Sequence, residues 1–91
     1  LPPLERAARA FAKAYLIESQ NWFEGDPYVQ SWVDAHWKDF RPHVREILMA
    51  VRHPGADLIA RVRAGAVFAP DAEEIESAHI TMIDALLEEA A

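Results

Sequence analysis

Asp71-Ala72-Glu73-Glu74-Ile75-Glu76-Ser77-Ala78-His79-Ile80-Thr81-Met82-Ile83-Asp84-Ala85-Leu86-Leu87 decides the fold class. Asp71 and Glu74 have the spacing of a capping box, in which each acid satisfies an otherwise unpaired amide of the first helical turn. Ile75, Ala78, His79, Met82, Ile83, Leu86 and Leu87 recur at three- and four-residue intervals, so they share one helical face. The acids of the first turns suit the positive end of the helix dipole. Glu88 and Glu89 oppose that dipole at the other end, where fraying is expected.

The same helical reading extends upstream. Pro2-Pro3 opens a first helix, where proline is tolerated because first-turn amides have no intrahelical partner. An alanine-rich run of high helix propensity follows, with Leu4, Ala8, Phe11, Tyr15 and Trp22 as its stripe. Glu24-Gly25-Asp26-Pro27 stops it, glycine serving as the C-terminal cap and Asp-Pro as a new start. A second helix is expected from Pro27 to about Asp39, with Tyr28, Trp32, Val33, His36, Trp37 and Phe40 on its aromatic face. A third begins near Arg41-Pro42, with Val44, Ile47, Leu48 and Val51 as its stripe, and Arg52-His53-Pro54-Gly55 breaks it. A short fourth helix spans Ala56 to Arg63, with Leu58, Ile59 and Val62 inward and Gly65 closing it. Val67-Phe68-Ala69-Pro70 is an apolar connector. No segment alternates apolar and polar residues with β-branched enrichment, so no sheet is expected. The sum is an all-α chain, a compact bundle of four to five short helices in a single helical domain over residues 1–91.

With 91 residues the chain lies below the usual domain size, and its high apolar content argues against disorder. The absence of cysteine excludes a disulfide scaffold, a thiolate metal site and a thiol nucleophile. No apolar run reaches the length of a membrane span, and Leu1-Pro2-Pro3-Leu4-Glu5-Arg6 does not read as a signal peptide. The net charge of −6 disfavours a general binder of nucleic acid. Its distribution is uneven: all nine Lys and Arg lie in residues 1–63, whereas residues 64–91 carry seven acids and no base. A basic middle is thus followed by an acidic end. Either the two neutralise each other or one faces a partner.

Candidate chemistry is sparse. His36, Asp39 and His43 would share a face of an unbroken helix, but Pro42 interrupts the spacing, so no metal site is expected. His79, on the apolar face of the last helix, reads as a core histidine with one hydrogen-bond partner. No serine sits in a nucleophile elbow, and the scattered glycines form no phosphate loop. No catalytic residue and no cofactor are expected. The aromatic residues Trp22, Phe23, Tyr28, Trp32, Trp37 and Phe40 suit a bundle core. Yet Trp22 and Phe23 are adjacent, as are His36 and Trp37, and one helix cannot point both members of a pair inward. Trp22, Phe23, Trp37, Lys38, Arg41 and Arg45 therefore make a candidate partner surface. Lys38, Arg41, Arg45, Arg52, Arg61 and Arg63 could also form a basic stripe, with the helices around Pro54-Gly55 imitating a helix-turn-helix.

Two stretches carry a resemblance. Val51-Arg52-His53-Pro54-Gly55-Ala56-Asp57-Leu58-Ile59 resembles a recurring Arg-x-Pro turn, and Met82-Ile83-Asp84-Ala85-Leu86-Leu87-Glu88 resembles a Met-Ile-Asp-Ala-x-Leu ending. In this order, after an Ala-Ala-Arg-Ala helix, they are similar to small helical proteins of tailed bacteriophages and prophages. That family usually has an acid where His53 stands and a tryptophan near Ile80. The resemblance implies the cytoplasm of a bacterial or phage-infected cell, and brings no catalytic residue with it. Asp84, on an otherwise apolar stretch, needs a cation or helix-end amides, and Arg52 is the obvious structural partner. The expected function is non-enzymatic, acting by protein–protein interaction through an unidentified protein partner, with a homodimer as one form of it. The alternatives are a nucleic-acid-associated regulator using residues 38–63, or an acidic decoy of nucleic acid built on the last helix.

Overall fold

The structure, a computed structural model, describes residues 1–68 and 70–89. Among these residues the regular elements are all helical and no strand occurs, in keeping with the all-α expectation. The order is α1 (Pro3–Gln20), α2 (Pro27–His36), a 3-10 turn (Trp37–Phe40), α3 (Arg41–Ala50), α4 (Gly55–Gly65) and α5 (Ala72–Glu89). The chain divides into two compact units, Leu1–Glu46 and Ile47–Glu89.

In the first unit, α1 packs against α2 and the 3-10 turn. Its buried line is Leu4, Ala8, Ala12 and Leu16, a strict four-residue ridge. The two alanines are wholly buried; with only a methyl group each, they leave room for the neighbouring elements to approach. Ala12 and Leu16 meet Val29 and Val33 of α2, and Trp32, Trp37 and Phe40 close over this cluster. Of the stripe expected from periodicity, Leu4 and Ala8 are buried, whereas Phe11 and Tyr15 flank the ridge and stay partly exposed. Trp22 lies outside the helix, which ends at Gln20. The cap is Asn21 in the left-handed conformation (φ 57°), not Gly25. Asparagine tolerates that conformation, and Glu24-Gly25 form a separate turn that brings the chain to α2. There Asp26 caps as expected, its Oδ1 accepting from the Tyr28 amide at 2.9 Å.

In the second unit, α4 packs against α5. Asp71 caps α5 by accepting from the Glu74 amide at 2.8 Å, the forward half of the capping box. Gly55 begins α4 with φ +78°, a conformation glycine adopts without strain. Helix α5 continues through Glu88 and Glu89. The inward assignment of Leu58 and Val62 does not hold, since they are 43% and 45% exposed. Ile47 and Val51, expected on the third helix's stripe, are also exposed. The pairing buries Ile83 of α5 and leaves Ile59 of α4 half-buried, and the other apolar residues of α4 remain at the surface. Of the apolar connector, Val67 and Phe68 are almost fully exposed, and Ala69 lies outside the described residues.

Candidate functional site

The proposed partner residues fall into two places in the first unit. Trp22 and Phe23 occupy the link between α1 and α2. Their opposed fates follow from their adjacency: Trp22 stacks on Tyr28 with ring centroids 4.3 Å apart, while Phe23 is 81% exposed. Trp37, Lys38, Arg41 and Arg45 come together elsewhere. The Trp37 ring rests on the core cluster and is surrounded by cations, with Arg9, Lys38 and Arg41 at 5.3, 5.8 and 5.7 Å from it. Lys38, Arg41, Pro42 and Arg45 line a shallow depression of about 210 Å³.

These cations differ in their electrostatic setting. Arg9 is engaged: Nε donates to Glu5 and Nη1 donates to Asp34, which also accepts from Gln30. The hydrogen bond from Arg9, aided by Gln30, holds the Asp34 carboxyl below its ordinary range. Lys38, Arg41 and Arg45 form no ion pair with a described residue. The 3-10 turn therefore presents an indole with unneutralised cations beside it.

The other side chains of that turn build a second feature. Phe11 and Tyr15 of α1, Trp32 and His36 of α2, Asp39 and Phe40 of the turn, and His43 of α3 line a cleft of about 460 Å³. Phe11 and His43 stack almost parallel, with centroids 5.6 Å apart, and Trp32 meets His36 at 4.7 Å. Phe40 touches Phe11, Tyr15, Trp32 and His43. His36 Nδ1 lies 3.7 Å from Asp39 Oδ2. Periodicity within single helices did not show this cleft, because it gathers rings from four elements. Among the described residues no group of three or more His, Asp or Glu is placed to hold a metal ion.

The second unit holds the structural pair. Arg52 Nε donates to Asp84 Oδ1 at 2.8 Å and Nη2 donates to Oδ2 at 3.0 Å, a side-on bidentate arrangement. Asp84 is only half-buried, so the pair is not a buried ion pair. The hydrogen bonds from Arg52 hold its carboxyl below its ordinary range, with His53 adding a small electrostatic contribution. His79 is half-buried rather than fully inside the core, and its Nε2 donates to the Val51 carbonyl at 2.6 Å, which ties α5 to the turn after α3. Of the basic residues, Lys38, Arg41 and Arg45 belong to the first unit and Arg52, Arg61 and Arg63 to the second. Arg52 is already committed to Asp84. No described helix is long and apolar enough to cross a membrane. No family model, curated protein or solved structure matches this chain.

Proposed function

We propose that this chain is a non-enzymatic helical protein that acts by protein–protein interaction and associates with itself through the apolar faces of its second unit. One observation carries the reading. Among the described residues of that unit only Ile83 is buried, while Ile47, Met49, Val51, Leu58, Val62, Val67, Phe68 and Met82 are exposed. Scattered exposed apolar side chains are ordinary, but so many in one short segment with a single buried residue call for cover from another chain. Trp37 with Lys38, Arg41 and Arg45 supplies a separate surface suited to an anionic protein segment, since tryptophan and arginine dominate interface hot spots. The phage or prophage setting rests on the Arg-x-Pro turn at Arg52–Pro54 and the Met82–Leu86 ending.

The test places one charge on each exposed face, Val62→Glu on α4 and Met82→Glu on α5. Light scattering during size exclusion should show the double variant at lower mass than the parent chain at equal concentration, with the helical circular dichroism retained. A double variant that associates as strongly as the parent overturns the reading.

A further inference from the structure

The aromatic cleft of the first unit has a chemistry of its own, independent of self-association. Its volume of about 460 Å³ falls in the range of roughly 300–1,000 Å³ usual for small-molecule sites. Four of its seven lining residues are Phe11, Tyr15, Trp32 and Phe40, whose ring faces carry partial negative charge. The one carboxylate in the lining is Asp39, whose side chain is 79% exposed, so it stands at the rim, with His36 Nδ1 3.7 Å from it and His43 as the other imidazole of the lining. No Lys or Arg lines the cleft; Lys38 and Arg41 instead neighbour the Trp37 ring, which is outside the lining. Electron-rich faces inside, a carboxylate at the rim, neutral imidazoles above the histidine range and no lining Lys or Arg favour a positively charged occupant whose charge is spread over apolar groups.

We propose that this cleft binds a small organic cation of the alkylated-ammonium class. The methyl groups would lie against Tyr15, Trp32 and Phe40, while Asp39 supplies the opposing charge. A neutral molecule of the same shape would gain the apolar contact but not the attraction to the ring faces and carboxylate.

The experiment is calorimetric titration of the whole chain with choline and with 3,3-dimethyl-1-butanol, its uncharged isostere. Choline should bind saturably and roughly tenfold more tightly than the isostere, the scale of one desolvated cation–π contact. Asp39→Asn, at an exposed position, should weaken choline binding several-fold and leave the isostere unchanged. Trp32→Phe, which keeps a ring in place, should weaken choline binding less than Trp32→Leu. A trimethyl-lysine peptide in the same titration identifies the source of the cation: tighter binding than choline assigns the cleft to a modified protein side chain, and equal or weaker binding assigns it to a free solute. Equal affinity for choline and its isostere, or no saturable binding of either choline or the peptide, overturns the proposal.

Discussion

Arg52 and Asp84 stand 32 positions apart and meet through two hydrogen bonds. The need for that contact is legible from the chain alone, because an acid beside Met82, Ile83 and Leu86 requires a cation if the helix packs there. The structure adds that the pair is half-exposed, so its contribution is screened by solvent. Asp84→Asn and Arg52→Gln should each lower stability, and the double variant should lose less than the two losses added. Chemical denaturation of the four chains measures this, and strict additivity would contradict coupling. The pH dependence follows from the lowered carboxyl of Asp84. Its stabilisation is present above the unfolded carboxyl's pKa of roughly 3.9 and is lost as pH falls through the lower folded value. Below about pH 4 the parent chain should therefore lose stability more steeply than Asp84→Asn, which has no carboxyl to protonate. Gly55 gives a second test at this scale. A Cβ there meets nothing within 4 Å, but φ is +78°, so only backbone conformation resists substitution. Gly55→Ala should cost about 1–2 kcal/mol, whereas Gly25→Ala, with open space and no positive φ, should cost less by the same thermal melts.

Helix starts were readable because their determinants are local. Asp26 and Asp71 each accept from an amide within three positions, and Asp-Pro and Asp-x-x-Glu record this in sequence. Replacing either with alanine should cost about 1 kcal/mol, seen as a lower melting temperature by circular dichroism. The end of α1 was misplaced because two residues nearby tolerate a left-handed conformation and only Asn21 adopts it. Leu4 and Ala8 of its ridge were legible, but the second half was read as Phe11 and Tyr15 instead of Ala12 and Leu16, because large rings outweigh a methyl group in apolar area although Ala12 marks where the backbone is most closely approached. Leu58 and Val62 illustrate a different limit. Periodicity says which side chains share a face; it does not say whether a neighbour covers that face. The cleft was invisible for a related reason, since Phe11 reaches His43 only after the 3-10 turn has packed on α1 and brought the start of α3 beside it.

At the scale of the molecule, the two units differ in how they bury apolar surface. Within Leu1–Glu46, a four-residue ridge on α1 meets Val29 and Val33, and three large rings close the cluster. Within Ile47–Glu89, two packed helices leave one buried residue among those described. A pair of helices alone gains little stability from so small a core, and cover from a second copy would supply the missing burial. A stable interface takes about 800 Å² from each partner, and the exposed side chains of α4 and α5, with Val67 and Phe68, are the proposed source of that area. Sedimentation equilibrium of the intact chain from low to high micromolar concentration tests this most directly. The account predicts a weight-average mass rising above the single-chain 10.3 kDa as concentration increases. A mass that stays at that value across the whole range would contradict it.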